Sequence, residues 1–386
     1  MNYFVDFASG HLNKNGEELC GDNVEFIRSN NQIIGILSDG LGSGVKANIL
    51  STLTSKIAIT MLKEGLSIEE VVDTLIHTLP VCKIRELAYS TFTIIKVDNT
   101  GQVYVAEFDN PKVYFLRKGK LLPLPRNERV INGQKISEST FQLHKGDTIV
   151  FVSDGVIHAG VGKTLNLGWG WDEVANYLEL FIDENISAKN ITNHMLQVVN
   201  DFYLGKPGDD VTVVTIKAIQ KKHAVLFSGP PKDSKDDQLV VEELTKNDCI
   251  KIVCGGTAAN IVSRELDEEL KTNFEFYDPT IPPTASIEGI DLVTEGVLTL
   301  KGVVNKLKQI NHLNDLTFLR KNDGASRLTK ILYEDCTNIT LLIGKAINPA
   351  HQNPDFPQEL SIKLSVLKEL EEVLIRLGKI VEVQYY

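Results

Sequence analysis

The chain has 386 residues, 42% of them hydrophobic and 24% charged, which is enough for two ordinary globular domains and too much for one small core. Forty lysines and arginines against 51 aspartates and glutamates leave a formal charge of −11, which argues against a broad electrostatic grip on nucleic acid or anionic lipid. No apolar run approaches bilayer-spanning length, residues 1–19 carry Asp6, His11, Glu17 and Glu18 where a signal peptide would be apolar, and the five cysteines are scattered without a CxxC pair. The expectation is a cytoplasmic protein with reduced cysteines and neither a membrane nor a nucleic-acid partner.

In chain order, residues 32–37 are short, apolar and halted by Asp39-Gly40, which predicts a buried strand. A long helix follows, its apolar residues Val45, Ile49, Leu53, Ile57 and Met61 recurring at helical spacing, with Gly65 as its stop. Ser67 with Glu70 fits a capping box for a second helix, whose buried face is Ile68, Val71, Val72, Leu75 and Ile76. Residues 91–98, 103–109 and 112–117 read as strands joined by Asn99-Thr100-Gly101 and Asn110-Pro111, and their succession predicts antiparallel pairing. Residues 148–152 and the alternating 211–217 read as further strands. The polar joint Gln220-Lys221-Lys222-His223 then divides the chain into expected domains 1–220 and 223–386.

Beyond the joint, the apolar residues 224–227 lead into Ser228-Gly229-Pro230-Pro231. Residues 250–254 read as a strand, Gly255-Gly256-Thr257 as a tight loop and 258–270 as a helix, an order suited to holding an anion at a helix N-terminus. No phosphate-loop lysine or full dinucleotide fingerprint accompanies it, and an ordinary strand-to-helix turn has the same pattern. Residues 292–310 and those from Ser326 onward read as helical, 339–344 as a strand, 360–377 as the final helix and 380–383 as the last strand. This alternation predicts a smaller three-layer α/β domain with a largely parallel sheet. Its loops 228–231, 255–257 and 348–354, the last containing His351, are candidates for one ligand cleft, with plain turns as the alternative.

One phrase occurs twice: Ser38-Asp39-Gly40 after the strand 33–37, and Ser153-Asp154-Gly155 after the strand 148–152. Gly208-Asp209-Asp210 precedes the strand 211–216, and Gly21-Asp22-Asn23 precedes residues 24–27, so four strand ends offer aspartates. Asp-Gly is also a common turn dipeptide. Aspartates gathered in one place repel one another unless a hard divalent cation neutralises them, and Mg2+ or Mn2+ prefers such oxygen ligands. Two such ions lower the pKa of a water between them and hold phosphoryl oxygens for in-line attack.

In order and spacing these residues resemble the PPM-type, metal-dependent serine/threonine protein phosphatases, in the branch of stage II sporulation protein E, over residues 1–220. Cys20-Gly21-Asp22-Asn23 is similar to the opening acidic motif, and residues 37–44 with Ala47 to the signature that begins the switch helices. Gly146-Asp147 to Val156 is similar to the GD-x5-SDGV block, and Gly208-Asp209-Asp210-Val211-Thr212-Val213 to the closing DD-x-TV motif. The resemblance implies an α+β fold, an α-β-β-α sandwich of two antiparallel sheets. It implies two Mn2+ or Mg2+ ions, with Asp39 bridging them, Gly40 lending its carbonyl, Asp154 and Asp209 on the second ion, Asp22 on the first, and Asp210 supporting its neighbour or holding a further ion. Asp39 and Asp22 are thus the expected catalytic residues. Leu41 stands where animal-type members carry a proposed general-acid histidine, and no phosphate-binding arginine can be assigned. His158 is a candidate for that role or a solvated loop residue, and Trp169 and Trp171 either flap over the site or pack on the following helix.

The expected function is a bacterial cytoplasmic protein serine/threonine phosphatase acting in signalling or sporulation-type regulation. Its substrate would be a phosphoprotein, with an anti-sigma-factor antagonist as a candidate by resemblance. The second domain is expected to regulate it through an unidentified small ligand or protein. The alternative is a non-catalytic ligand-sensing signalling module on a phosphatase fold. The helices between Lys46 and Leu79 would be either a switch for Asp39 or simply a layer covering a sheet.

Overall fold

The computed structural model describes residues 3–29, 32–79, 90–183, 186–246, 248–272, 282–310, 317–346 and 358–386, so Cys82 and the loop 348–354 with His351 lie outside the described residues. The chain divides into two compact units, Met1–Gln220 and Lys221–Tyr386.

In the first unit, β1 (Tyr3–Leu12), β2 (Asp22–Arg28) and β3 (Gln32–Gly40) precede α1 (Gly44–Lys63) and α2 (Ile68–Thr78). Next come β4 (Ser90–Asp98), β5 (Gln102–Phe108), β6 (Tyr114–Arg117), β7 (Lys120–Leu121), β8 (Asn127–Ile131), β9 (Gln134–Gln142) and β10 (Thr148–Val152). The short α3 (Asp154–Ile157), then α4 (Trp171–Phe181) and α5 (Ala188–Phe202), lead to β11 (Val211–Gln220). Two antiparallel sheets result, in the orders β1-β11-β10-β6-β7 and β2-β3-β4-β5-β9-β8.

The inner faces of the two sheets form one core, with Val5, Phe151, Val214 and Ile216 from one and Leu37, Ile95, Val97 and Val105 from the other. Phe7 of β1 stacks on Phe26 of β2 with centroids 3.9 Å apart, and Arg28 donates to the Val5 carbonyl at 2.6 Å, tying the layers together. α1 and α2 cover the outer face of the β3-β4 sheet, while α4 and α5 cover that of the β10-β11 sheet. The fold class is α+β, an α-β-β-α sandwich. The capping box of Ser67 and Glu70 is present at the start of α2.

Two expectations change, and the structure adds one hairpin. The strand 112–117 does not continue the antiparallel run, because β6 leaves β5 and pairs with β10 in the other sheet. The hairpin β8-β9 had a legible signal in Asn132-Gly133, where both residues take the positive φ of a tight hairpin turn. α1 is a helix, but the first half of the stripe that predicts it is not the face it buries, while Ile57 and Met61 of the second half pack partly against the core. Val45, Ile49 and Leu53 are 63%, 52% and 46% exposed, and the sheet is met by Ala47, Leu50, Ser51, Thr54, Ser55 and Ala58. Small residues win because the helix lies close to the strands: Ser38 Oγ donates to the Ser51 carbonyl at 2.6 Å, and Asn48 Nδ2 to the Cys20 carbonyl at 2.8 Å.

The second unit contains β12 (His223–Ser228), α6 (Asp237–Thr245), β13 (Ile250–Cys254), α7 (Gly256–Leu266), β14 (Lys271–Thr272), β15 (Ala285–Ser286) and β16 (Leu292–Thr294). It closes with α8 (Val297–Gln309), α9 (Gly324–Lys330), β17 (Asn338–Ile343), α10 (Gln358–Arg376) and β18 (Ile380–Tyr385). The strands β16-β13-β12-β17-β18 are parallel, while β15 joins β16 antiparallel at one edge. α8, α9 and α10 pack on one face and α6 and α7 on the other, the three-layer α/β arrangement. Two boundaries move. Residues 292–294 form a strand, so the expected helix 292–310 begins only at Val297, and the helix expected over 258–270 starts at Gly256 and stops when Asp267 turns left-handed with φ 55°.

Candidate functional site

The register of the sheets brings the acidic strand ends together. β2 and β3 pair so that Asp22 stands directly opposite Asp39, with the Gly40 amide donating to the Gly21 carbonyl at 3.2 Å. In the other sheet Val152 pairs with Val213, which carries Asp154 and the Asp209-Asp210 pair to the same end. The Thr212 amide donates to Ser153 Oγ at 2.8 Å and the Ser153 amide to the Thr212 carbonyl at 3.0 Å, locking the two phrases side by side. Ser153-Asp154-Gly155 is the start of α3 rather than an isolated turn.

The glycines next to the aspartates are required by close packing. A Cβ on Gly40 would collide with the Ala47 carbonyl, and one on Gly155 with the Asp210 carbonyl. One on Gly21 would stand 2.8 Å from an Asp210 carboxylate oxygen, which shows the first and last acidic motifs in contact. Ser90 Oγ donates to the Asp39 carbonyl at 2.9 Å, and Tyr203 donates its hydroxyl hydrogen to the Gly155 carbonyl at 2.8 Å, so both Asp-Gly turns are held from outside.

Electrostatically the site is a concentration of like charge. Asp39 is pushed well above the usual carboxylate range, first by burial and then by Asp22, Asp154 and Asp209. Asp22 is raised mainly by burial, with Asp210 and Asp154 adding to it and the nearby Thr212 and Ser153 hydroxyls opposing it. Asp154 is raised by burial and by Asp209, while His158, exposed at the end of α3, opposes the rise. The Tyr203 phenol is pushed up to about 12 by burial and by Asp209 and Asp154.

Asp22 is 6% exposed and Asp210 is 4% exposed. Neither Asp22 oxygen, nor Asp210 Oδ2, makes a hydrogen bond of ordinary geometry. Buried carboxylate oxygens left without donors are costly, and a hard cation is the partner that offsets the cost. The donor set of carboxylates therefore fits Mn2+ or Mg2+, although among the described residues no group of three His, Cys, Asp or Glu side chains is already arranged to hold an ion.

One residue at the site has no sequence signal. Lys14 donates its amide to Asp210 Oδ1 at 3.0 Å and sets its ammonium 3.5 Å from Asp209 Oδ1. It arrives there because β1 pairs with β11, Leu12 opposite Val211. The tryptophans are not part of the site. Trp169 is buried against Tyr177 and Phe202, so it packs on the following helix, whereas Trp171 begins α4 itself, stacks on Tyr114 at 4.8 Å and donates Nε1–H to the Lys112 carbonyl.

Residues 29–219 match the family model of stage II sporulation protein E (SpoIIE). The phosphoserine phosphatase RsbX of Bacillus subtilis (strain 168) is 25% identical over 172 residues, covering 44% of this chain and 84% of RsbX. Stage II sporulation protein E of the same organism is 22% identical over 228 residues, covering 56% of this chain, which spans only 26% of that longer protein. Among solved structures, the PP2C phosphatase domain with a fragment of the regulatory domain of SpoIIE from Bacillus subtilis aligns at 20% identity with a TM-score of 0.49, over 57% of this chain and 63% of that one. RsbX in complex with magnesium aligns at 17% identity with a TM-score of 0.41, over 56% of this chain and 96% of that one. Among the described residues no helix is long and apolar enough to cross a membrane.

Proposed function

We propose that this chain, whose residues 29–219 form a domain of the stage II sporulation protein E family, is a bacterial cytoplasmic phosphoprotein phosphatase that hydrolyses phosphoserine or phosphothreonine in signalling or sporulation-type regulation. The observation that carries the reading is the meeting of Asp22, Asp39, Asp154, Asp209 and Asp210 at one end of the sandwich, with buried oxygens of Asp22 and Asp210 lacking partners. In this reading Asp39, the Gly40 carbonyl and Asp22 would hold one ion and Asp39, Asp154 and Asp209 a second, while Asp210 would support Asp209 or hold a further ion. Two bound Mn2+ or Mg2+ ions supply acidification of a water and neutralisation of phosphoryl charge.

The chain's own residues do the positioning. Strand pairing fixes Asp22 against Asp39, Ser90 holds the Asp39 backbone, and Tyr203 holds the Gly155 carbonyl. Lys14 balances part of the charge of Asp209. Leu41 occupies the position after Asp39-Gly40, so leaving-group protonation does not come from a side chain there. The candidate phosphoprotein substrate is an anti-sigma-factor antagonist, by the family resemblance. Residues 223–386 form a regulatory domain that reads a ligand or partner.

Phosphate release from a phosphoseryl peptide library in Mn2+, compared between the full chain and Asp39→Asn, tests the reading. Metal-dependent turnover that disappears in the variant supports it. Absence of turnover in the full chain, with folding and Mn2+ binding verified, favours a non-catalytic signalling module instead.

A further inference from the structure

The parallel strands of the second unit stand in the order third, second, first, fourth, fifth by chain position. In such sheets a ligand crevice opens at the carboxyl edge where the order reverses, here between β12 and β17. The chain itself fills that point. A Cβ on Gly344 would collide with the carbonyls of Gly229 and Pro230, the Ala346 amide donates to the Pro230 carbonyl at 3.1 Å, and Lys363 Nζ donates to the Gly344 carbonyl at 2.7 Å.

Between β13 and β16 the same edge is built differently. Cys254 leads through Gly255 into α7, and Thr294 leads through Glu295 and Gly296 into α8. The Gly255 amide donates to the Thr294 carbonyl at 2.9 Å, and a Cβ on Gly296 would lie 3.4 Å from Gly255 Cα, so the two loops touch glycine to glycine. Gly255 has φ 114°, a conformation that side-chain-bearing residues rarely adopt. Both helices start from glycine N-caps that give no side-chain cap, and neither has an acidic residue in its first turn. The first amides of a helix lack intrahelical acceptors and carry its positive end. A Cβ on Gly256 would meet nothing within 4 Å, so the start of α7 is open.

Two side-chain oxygens at this junction have no partner. Thr299, the third residue of α8, is 0% exposed and its hydroxyl is unbonded. Thr54, Thr60, Thr245 and Thr329 all return their helical hydroxyls to the carbonyl four residues back, and Thr299 does not. Helical Cα–Cβ bonds lean toward the N-terminus, which directs the Thr299 side chain to the Gly296 end. Glu295 Oε2 is likewise buried without a partner. Amides and a hydroxyl suit an anion, and a carboxylate oxygen next to them accepts from a ligand hydroxyl.

We propose that the junction of Gly255, Gly256, Glu295, Gly296 and Thr299 binds a ribose phosphate, free or as part of a nucleotide, with the phosphate on the starts of α7 and α8 and the Thr299 hydroxyl, and with sugar hydroxyls donating to Glu295. Calorimetric titration of the full chain in EDTA with AMP, ribose 5-phosphate and inorganic phosphate tests this, since EDTA removes cations that would draw phosphate to the first unit. AMP or ribose 5-phosphate binds at least about tenfold more tightly than inorganic phosphate, because only the esters reach Glu295. Tighter binding of AMP assigns the nucleotide, and equal binding of the two assigns the sugar phosphate. Gly256→Glu weakens binding about tenfold or more while the unliganded chain keeps or raises its Tm, since an acidic residue favours the first turn of a helix. Thr299→Val weakens binding without lowering the Tm. The proposal is overturned if none of the three compounds binds up to about 10 mM, or if Gly256→Glu and Thr299→Val both fold and bind as the parent does.

Discussion

At the acidic end of the first unit, four strand ends carry carboxylates into a buried space, and burial together with mutual repulsion raises Asp39, Asp22 and Asp154. At the carboxyl edge of the second unit, between β13 and β16, the strand ends carry glycines and two uncapped helix starts. Both regions leave buried oxygens without partners, Asp22 and Asp210 in one and Thr299 and Glu295 in the other. The difference lies in what surrounds those oxygens. Carboxylates facing one another call for a cation, whereas helix amides call for an anion. Glycine also serves opposite ends in the two places: Gly40 and Gly155 are small because backbone carbonyls press on them, and Gly256 is small where nothing presses.

The largest expected effect is at the centre of the acidic end. Asp39→Asn lowers phosphate release from a phosphoseryl peptide by about 10^2- to 10^3-fold, the scale of losing one electrostatic partner of the reacting group. The same change raises the Tm of the metal-free chain near neutral pH, because it removes a carboxyl that burial and its acidic neighbours keep from ionising in the fold; a lower Tm in EDTA would break the contrast between the two regions. Gly155→Ala follows, costing about 1–3 kcal/mol in denaturant unfolding, because its Cβ has the Asp210 carbonyl in its way. Gly256→Ala sharpens the comparison from the other side: with open space and φ outside the left-handed region, it stabilises the second unit by about 0.4–1 kcal/mol. Lys14→Met is the smallest change. Its side chain is 35% exposed with the ammonium 3.5 Å from Asp209, so the variant tightens the apparent Mn2+ affinity by less than about fivefold, measured by titrating Mn2+ against Tm.

Much of the candidate site was legible because each acidic phrase is tied to a local pattern. Ser38-Asp39-Gly40 and Ser153-Asp154-Gly155 each follow an apolar run, which places both carboxylates at strand ends. Ser153 and Thr212 were inside the phrases already singled out, and their bond to each other is what the structure adds. Lys14 was not legible, since it lies in an irregular segment and owes its place to the β1-β11 register almost 200 residues away in the chain. β16 was hidden because three apolar or β-branched residues before a helix read as part of the helix when no neighbour is known.

The sequence by itself determined most of the strands and helices, the antiparallel sheets of the first half and the largely parallel sheet of the second, and which aspartates stand at strand ends. Those are properties of spacing along the chain, fixed by side-chain alternation and turn chemistry within a few residues. Tertiary structure alone decided that β6 crosses to the other sheet, that α1 turns Ala47, Ser51 and Ser55 inward and leaves Val45, Ile49 and Leu53 outside, and that Gly255 meets Gly296. Periodicity states that a helix has faces, but the choice of face belongs to whichever side can approach its neighbour most closely and satisfy the polar groups buried between them.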